Sequence, residues 1–578
     1  MAENYYKDNS DLQFYLHTLE LDDVVRLREN EYSETETYPD APESYEDALD
    51  SYGRVLDMLG NLTADHIAPR ADDVDQQGPT LQDGDVIHAE GTQKNLEELR
   101  KAQVMGAMLP RQYGGLNLPV TIYTMMNEMV SRADASLQNL FGLQDIAETI
   151  HHFGSEDQRE RYLPHFASGE ADGAMALTEP EAGSDLQAVQ LKAHYDDKTD
   201  TWYLNGMKRF ITNGCAKVLL VLARSEPGTK DGRGLSMFVC EKCPGLVVRR
   251  IEDKLGIHGS PTCELQFNNV PAELVGKRRR GLTRYVMSLM NGARVAIASQ
   301  GLGIAEAAYR EGLKYAMERE QFGHPIIKFP AVYEMLTKNK VYITAARALL
   351  YETTRYVDLR DCYALYNERT GKSEKEAVKK EKTYTRIAAE LTPLAKAFAT
   401  ELANRAAYDT IQIHGGTGFM RDFPAERYYR DARITNIYEG TTQLQYVAAI
   451  GGICQRVLEP LMEELSHLPF ESKLRRLASK VDVAREKLNS AVEYINKTSD
   501  HEYYELVSRR LCDMEMDVFI SYLLLRDALH EKDRELIAEQ YIADAVARVA
   551  MEHDIVTSGD LSMIDNHEDI LQLEKTEN

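Results

Sequence analysis

The spacing of apolar residues changes twice along this chain, and this change limits the fold more than any other feature. From about residue 52 to residue 169 apolar side chains recur at helical spacing, as in the segment LEELRKAQVMGAML before Pro110. From 171 to about 282 short apolar runs such as KVLLVLARSE are broken by Gly, Pro and Asn, which is typical of strands. Helical spacing returns from Leu282 to about Ala449. The sequence therefore predicts an α+β multidomain fold with a small β-domain between two helical regions.

The length of 578 residues exceeds what one hydrophobic core supports, so we expect several domains. Beyond residue 452 a single apolar stripe at helical spacing predicts a further helical domain, which must bury that stripe against the body or another copy: Leu474, Leu477, Val481, Ala484, Leu488, Val492 and Ile495. The residues from Asn566 onward are polar, and we expect them to fray. The predicted units are an N-terminal extension (1–50), an N-terminal helical domain (51–170), a middle β-domain (171–282), a C-terminal helical bundle (283–452) and the extra helical domain (453–578).

The N-terminal extension divides into two parts. Apolar residues between Leu12 and Leu27 have helical spacing and predict a helix that docks on the body. The segment from Glu29 to Asp47 is acidic and tyrosine-rich with two prolines. Such a segment buries too little apolar surface to offset its ordering entropy, so we interpret it as a linker or a surface strap without catalytic chemistry.

Charge and cysteine content narrow the class of protein. A formal net charge of −26 disfavours nucleic acid as a partner, because phosphate binding relies on Lys and Arg. The seven cysteines lack the spacing of a disulfide framework, the start MAENYYKDNSD has no signal-peptide pattern, and no apolar run is long enough to insert stably in a membrane. Cys240 and Cys243 form a lone CxxC, and His151-His152 has no carboxylate or Cys partner at ligand spacing, so we expect no metal site at either. These features predict a cytoplasmic protein.

One stretch, from Gln412 to Gln443, concentrates the residues suited to a ligand. Three glycines, Gly415, Gly416 and Gly418, are followed by Tyr438-Glu439-Gly440-Thr441. Closely spaced glycines let the backbone approach a flat or anionic group, because no Cβ blocks the approach. Taken alone, the same residues also fit a plain tight turn and a solvated glutamate.

Three further motifs decide between these interpretations. They are ALTEPEAGSDLQA at 176–188, KRFITNG at 208–214 and REQFG at 319–323. The last motif ends a long helical run, and we expect Gly323 to be the C-cap of that helix. In this order, and together with the 412–443 stretch, the three motifs resemble the acyl-CoA dehydrogenase family over about residues 99–452. The tail beyond residue 452 is similar to the extra C-terminal helical domain of the long members, which favours a homodimer.

The resemblance implies FAD as the cofactor and an acyl-CoA thioester as the substrate. The cofactor contacts that it implies are Leu177, Thr178, Ser184, Phe210, Thr212, Arg319, Gln321, Phe322, Gln412, Gly416, Thr441 and Gln443. The substrate contacts that it implies are Ser184, Arg294 and Gly440. In the family the corner that carries Arg319 belongs to the neighbouring subunit and reaches the FAD pyrophosphate, a role that suits a guanidinium with two parallel donors.

The chain departs from the family pattern at three places. Phe210 stands where many relatives have Trp, and Pro330 stands where many have a Gln that contacts FAD. Lys277 to Arg280 form a basic cluster in a loop that is often acidic or mixed in relatives. This cluster is open to two interpretations, a solvated loop or a site for CoA phosphates or a partner's acidic patch.

The chemistry implied by the resemblance needs a base and a hydride acceptor. Glu439 matches the family's catalytic glutamate, which removes the α-proton of the thioester while flavin N5 accepts the β-hydride. Its backbone N–H is expected to help hold the thioester carbonyl. The product is the 2-enoyl-CoA, and the electrons pass to an electron-transfer flavoprotein in fatty acid metabolism. The alternatives are an acyl-CoA oxidase that uses oxygen and a non-enzymatic, DNA-associated relative.

Overall fold

A computed structural model describes residues 4–573 of the chain. Its α-helices are α1 Ser10–Thr18, α2 Asp22–Arg28, α3 Tyr45–Leu62, α4 Ala71–Gln77, α5 Glu90–Lys101, α6 Val120–Ala133, α7 Ala135–Phe141, α8 Asp145–Phe153, α9 Glu156–Ser168, α10 Met287–Glu318, α11 Pro330–Arg369, α12 Lys375–His414, α13 Ala425–Thr435, α14 Thr442–Cys454, α15 Glu459–Ser466, α16 Ser472–Lys497, α17 His501–His530, α18 Glu535–Ser558 and α19 Ser562–Ile570. Its strands are β1 Thr80–Gln82, β2 Asp85–Ile87, β3 Gly173–Ala176, β4 Lys192–Asp196, β5 Thr201–Thr212, β6 Val218–Arg224, β7 Leu235–Glu241, β8 Leu246–Ile251, β9 Thr262–Leu274, β10 Glu320–Gln321 and β11 His324–Pro325.

The middle of the chain forms one seven-stranded sheet between the helical regions. The strands pair in the order β3-β6-β4-β5-β9-β7, with β8 on β9, and an additional antiparallel pairing of β6 with β7 closes the sheet on itself. Every residue of the central strand β6 is buried, which explains its continuous apolar sequence VLLVLAR. The predicted α+β architecture, read from the two changes in apolar spacing, is confirmed.

Three long helices, α10, α11 and α12, form the centre of the helical body, with α6 packed against α10 and α11. Pro330 is the first residue of the 40-residue helix α11, with Phe329 as its N-cap. Proline suits this position because its fixed φ is already helical and its missing N–H would have no partner within the helix. The residue that departs from the family pattern therefore has a structural role here.

A buried guanidinium joins four of these helices. Arg347 of α11 is fully buried, and its Nη2 lies 2.6 Å from Glu128 Oε1 of α6 and 2.8 Å from Glu306 Oε2 of α10. Its Nη1 lies 2.8 Å from Asp11 Oδ2 of α1. Because a charge in a dry interior is stable only when paired and hydrogen-bonded, this cluster fixes the mutual positions of the four helices.

The N-terminal extension docks on the body as predicted, but as two helices rather than one. The chain breaks between α1 and α2, and the apolar residues on both sides of the break are buried. The following segment begins with an anchor rather than a free linker, because the buried Glu29 pairs with Arg111 at 2.6 Å. Helix α3 begins at Tyr45 and runs across residue 50.

The extra helices of the tail also pack on the body of their own chain. All seven apolar residues of the predicted stripe are buried in α16. Arg526 of α17 lies 2.7 Å from Glu352 of α11, and Tyr15 of α1 donates a hydrogen bond of 2.6 Å to Asp527 of α17. The stripe therefore does not need a second copy of the chain for its burial.

The structure also tests the expectations for the ends of the chain and for its cysteines. Helix α19 continues to Ile570, past the point at Asn566 where we expected fraying, and residues 574–578 of that prediction lie outside the described part. The opening MAE of the segment tested for a signal peptide also lies outside it. All seven cysteines are free. Among residues 4–573 there is no helix with the length and apolarity to cross a membrane.

We expect Arg347→Met to lower stability by about 3 to 5 kcal/mol, because it leaves three buried carboxylates without their shared cation. The measurement is the midpoint of thermal unfolding. The control is Lys338→Met on the same helix, whose ammonium pairs with Glu334 on the exposed surface, and this variant should unfold like wild type. Equal midpoints for the two variants would contradict the structural role of Arg347.

Candidate active site

Glu439 and Gly440 form a tight turn between α13 and α14. Both residues are left-handed, with φ of 53° and 89°. Glycine adopts such a backbone without strain, whereas a glutamate does so only when its surroundings hold it there. Two side chains hold this turn: Lys396 Nζ donates to the Gly440 carbonyl at 2.8 Å, and Gln445 Nε2 donates to the same oxygen at 2.8 Å.

The residues on either side of the turn are also fixed. Thr441 is the N-cap of α14, and its hydroxyl accepts a hydrogen bond of 3.4 Å from the Leu444 N–H. The Tyr438 hydroxyl donates to Asn139 Oδ1 of α7 at 3.0 Å, and Asn139 Nδ2 donates to Ser260 Oγ of the β-domain at 3.1 Å. This chain of hydrogen bonds connects the Glu439–Gly440 turn to the β-domain.

The electrostatic surroundings of Glu439 suit a general base. Burial raises the pKa of Glu439, while Lys396 and Arg294 act in the opposite direction. Neither cation comes within 4.0 Å of the Glu439 carboxylate in the described part of the chain. Arg294 is buried, its Nη1 lies 3.2 Å from Asn291 Oδ1, and its Nε has no hydrogen-bond partner among residues 4–573. A carboxylate held in this way can remove a weakly acidic proton near neutral pH.

Sequence reasoning missed three residues around this turn. Lys396 is fully buried within the apolar run of α12, and burial lowers its pKa to about 7. Gln445 is the second donor to the Gly440 carbonyl. Asp145 opens α8, and burial, followed by the charges of Glu148 and Glu439, raises its pKa to about 8. A charged residue inside an apolar run was a signal for Lys396, but no local pattern marks the other two.

The β-domain residues predicted to line a flavin lie in the segment after β3 (Leu177, Thr178 and Ser184) and at the end of β5 (Phe210 and Thr212). The fully buried Lys208 donates to the Leu177 carbonyl at 2.7 Å and to Glu179 Oε1 at 2.9 Å, and this fixes the segment that carries Thr178. Between Lys208 and Ile211 the pairing of β5 with β9 shifts register. Such an irregularity re-aims a side chain, and Phe210, with φ of 60°, leaves 52% of its surface exposed.

These strand ends fit a flat ligand with a polar edge. The hydroxyls of Thr178, Ser184 and Thr212 have no hydrogen-bond partner within residues 4–573. The Phe210 ring is half exposed, with the Arg209 guanidinium 4.6 Å from its centroid. An isoalloxazine ring needs an apolar face together with hydrogen-bonding groups at its edge. The residues present therefore match FAD in chemical type.

A third group of predicted residues lies on the surface at the ends of α10 and α12. Arg319 is the C-cap of α10, and the expectation that Gly323 would be that cap is wrong. Phe322 and Gly323, with φ of 53° and 84°, instead form the two-residue turn between β10 and β11, a hairpin geometry that requires positive φ at both positions. Phe322 is 91% exposed, and Arg319 and Gln321 are exposed as well.

The glycine-rich end of α12 lies against the same corner. The rings of His414 and Tyr315 stack with centroids 4.1 Å apart, and the Tyr315 and Thr417 hydroxyls are 3.1 Å apart. Gln412 and Gly416 are exposed, and a Cβ built on Gly416 would meet no atom within 4 Å. Gln443 of α14 is exposed too. The monomer thus presents this corner to solvent as an open surface.

The His151-His152 pair and the basic cluster from Lys277 to Arg280 both contact carboxylates in the structure. Glu148 lies one helical turn before His151-His152, with its Oε2 3.4 Å from His152 Nε2, so our statement that no carboxylate stands at ligand spacing is wrong. Burial lowers the pKa of His151 to about 4. In the basic cluster Arg278 pairs with Glu226 at 2.6 Å, which favours the interpretation of a surface loop for that residue.

Comparisons with known proteins cover nearly the whole chain. The N-terminal, middle and C-terminal domain models of acyl-CoA dehydrogenase and a further acyl-CoA dehydrogenase C-terminal model match residues 52–170, 174–270, 295–443 and 458–560. An acyl-CoA dehydrogenase of Bacillus subtilis is 38% identical over 358 residues, which span 61% of this chain and 86% of that protein.

Two solved structures support the same assignment. A chain from work on the electron transferring flavoprotein of Acidaminococcus fermentans has a TM-score of 0.59 and 33% identity, covering 69% of this chain and 97% of that one. An acyl-CoA dehydrogenase of Bacillus anthracis in complex with FAD has a TM-score of 0.75 and 24% identity, covering 88% of both chains, and shows the shared fold. The chain belongs to the acyl-CoA dehydrogenase family, whose members are oxidoreductases that carry FAD.

Proposed function

We propose that this enzyme dehydrogenates an acyl-CoA thioester to the 2-enoyl-CoA, with Glu439 as the base that removes the α-proton. The observation that carries the proposal is the Glu439–Gly440 turn, a carboxylate of raised pKa on a left-handed backbone held by two side chains. Strain of this kind persists where the surrounding structure enforces it, which is characteristic of functional sites.

The turn also supplies a group for the thioester carbonyl. Within residues 4–573 the Glu439 N–H has no hydrogen-bond acceptor. A free backbone N–H beside the base can donate to the carbonyl oxygen, where negative charge develops as the α-proton leaves. Gly440 is required at this turn because its φ is 89° and a Cβ there would lie 2.7 Å from Gln445 Nε2. The Arg294 guanidinium adds positive charge to the same region.

FAD completes the chemistry, since when bound it accepts the hydride that leaves the β-carbon, which no side chain can do. The residues that would hold it in the same subunit are Leu177, Thr178, Ser184, Phe210, Thr212, Thr441 and Gln443. The hydroxyls of Thr178, Ser184 and Thr212, which lack a hydrogen-bond partner within residues 4–573, and the half-exposed Phe210 ring support this assignment. Ser184 is the one of these residues that we also assign to the substrate.

We assign the remaining contacts to a second copy of the chain in a homodimer. They are Arg319, Gln321, Phe322, Gln412 and Gly416. Their exposure in the monomer supports the assignment, above all the Phe322 ring at 91% exposure. Exposed apolar patches, rather than single rings, mark surfaces that another molecule covers. Phe419, which is 76% exposed in the same glycine-rich segment as Gly416, adds to the apolar surface of these segments. The Arg319 guanidinium suits the FAD pyrophosphate because it presents paired donors to anionic oxygens.

We infer that the electrons leave through an electron-transfer flavoprotein. The likeness to a chain from work on such a flavoprotein supports this partner. The test is the rate at which the reduced enzyme is reoxidised by an added electron-transfer flavoprotein, compared with the rate in air. Reoxidation in air that is as fast as with the flavoprotein would make the enzyme an acyl-CoA oxidase.

Glu439→Gln is expected to retain FAD and to lose at least about 1000-fold in the rate of flavin reduction by substrate, because an amide cannot take the α-proton. Anaerobic stopped-flow absorbance measures this rate. The matched control is Glu401→Gln, which alters a nearby carboxylate of α12 that bonds the Thr442 hydroxyl at 3.0 Å, and it should reduce its flavin far faster. Near-normal flavin bleaching in Glu439→Gln would overturn the assignment of the base.

Arg319→Ala is expected to weaken FAD binding about 10- to 100-fold, because it removes a charge-assisted contact with the pyrophosphate. Fluorescence titration of the apoprotein with FAD measures the change. Arg233→Ala is the control, since that exposed guanidinium pairs with Asp231 in a β-domain loop. Equal FAD affinities in the two variants would contradict the cofactor role of Arg319.

A further inference from the structure

We propose that Lys396 is a positioning residue for the base: its amine donates to the Gly440 carbonyl, and its protonated form supplies the positive field that favours the carboxylate form of Glu439 on the acid side of neutral pH. This inference rests on the proposed function, and it assigns a role to a residue that lies outside all the sequence motifs described above. Its support comes from the contacts of one fully buried amine.

Among residues 4–573 one other lysine, Lys208, is fully buried, and its bonding differs from that of Lys396. Lys208 makes a contact ion pair with Glu179 at 2.9 Å as well as a hydrogen bond to a carbonyl. Lys396 Nζ has one hydrogen-bond partner within residues 4–573, the Gly440 carbonyl at 2.8 Å, and no carboxylate within 4.0 Å. Burial without a contact ion pair disfavours the ammonium form, so the pKa of Lys396 falls to about 7 and the amine carries its full charge only below that pH. Strongly shifted amines of this kind occur most often at functional sites. The positive field of Lys396 therefore acts on Glu439 without a contact ion pair between the two side chains.

The turn itself does not depend on Lys396 alone. Gln445 Nε2 donates to the same Gly440 oxygen at 2.8 Å and to the Glu439 carbonyl at 3.3 Å. Substitution of Lys396 therefore leaves one donor on the turn, which separates the electrostatic contribution of the amine from simple support of the backbone. Substitution of Gln445 removes a neutral hydrogen-bond donor from the turn and leaves the positive charge of Lys396 in place.

The titratable and charged groups that face Glu439 and Lys396 come from three helices. Glu439 faces Lys396 on α12, Arg294 on α10 and Asp145 on α8, and Lys396 also faces Glu401 of its own helix. Burial raises the pKa of Glu439, and the two cations lower it. Removal of the Lys396 charge therefore raises the pKa of Glu439 further. The carboxylate form then becomes populated only at higher pH, so activity is lost on the acid side.

The experiment compares Lys396→Met, Lys396→Arg and Gln445→Leu with wild type as FAD-loaded enzymes. The acid limb of kcat/KM against pH should move about one unit higher in Lys396→Met and return toward wild type in Lys396→Arg, which restores the charge. Gln445→Leu should lower kcat without moving the limb. Lys382→Met, an exposed lysine on the same helix, serves as the control and should match wild type.

A second readout does not depend on hydride transfer. Acetyl-CoA has no β-carbon and cannot be dehydrogenated, but a base at the α-carbon exchanges its α-protons for deuterium in D2O. The pH dependence of this exchange, followed by NMR, should shift in Lys396→Met in the same direction as the acid limb. FAD content and the thermal midpoint are measured alongside. Should the Met variant not fold, Lys396→Gln, which is polar and uncharged, takes its place with the same expected shift.

The outcomes separate the two proposals. An acid limb and an exchange profile that stay at the wild-type pH in the uncharged variants would overturn the role of Lys396 and leave the proposed function standing. A wild-type enzyme that neither reduces its flavin with any acyl-CoA nor exchanges α-protons would overturn the proposed function, and the role of Lys396 with it.

Discussion

The buried guanidinium of Arg347 is the interaction on which the arrangement of the helical body depends. It brings one carboxylate from each of α1, α6 and α10 onto α11, in a place where none of these charges would be stable alone. Helix α10 carries Arg294, and α12, which packs along both α10 and α11, carries Lys396. The positions of the two cations beside Glu439 therefore follow from a salt-bridge cluster elsewhere in the body, and the N-terminal extension contributes to it through Asp11.

Two pairs of buried cations in this protein differ in their contacts. Arg347 and Lys208 contact carboxylates and fix helices or a strand end in place. Lys396 and Arg294 contact no carboxylate within residues 4–573, and both lower the pKa of Glu439 against the effect of burial. A base for an α-proton must be dry enough to be strong, yet it must remain a carboxylate at the pH of the reaction. Two nearby cations that do not touch the carboxylate meet both requirements.

The sequence predicted the features that depend on local pattern. The alternation of helical and strand spacing gave the order of the domains, and the apolar stripe from Leu474 to Ile495 predicted a helix that is buried along that face. Patterns of this kind are local because a helix or a strand repeats every few residues. The position of Glu439 came from its motif, whereas the structural clues to its role, the left-handed backbone and the two donors on Gly440, became visible only in the fold.

The contacts that sequence reasoning missed join distant parts of the chain. Tyr15 and Asp527 are 512 residues apart, Tyr438 and Asn139 are 299 apart, and Lys396 and Gly440 are 44 apart. No spacing rule connects such positions. The prediction that Gly323 is a helix C-cap was wrong for a different reason. A glycine shortly after a helix is typical of a C-cap, but it is equally typical of a hairpin turn with positive φ, which is what the Phe322-Gly323 pair forms.

The central claim is that Glu439 and a bound flavin act on the second and third carbons of an acyl thioester. The most direct measurement is an anaerobic titration of the purified, FAD-loaded protein with a series of acyl-CoA thioesters of increasing chain length, followed by flavin absorbance and by mass spectrometry of the product. The account predicts that at least one thioester bleaches the flavin stoichiometrically and yields the 2-enoyl-CoA. A protein that does not bind FAD, or a flavin that stays oxidised with every thioester, would contradict it.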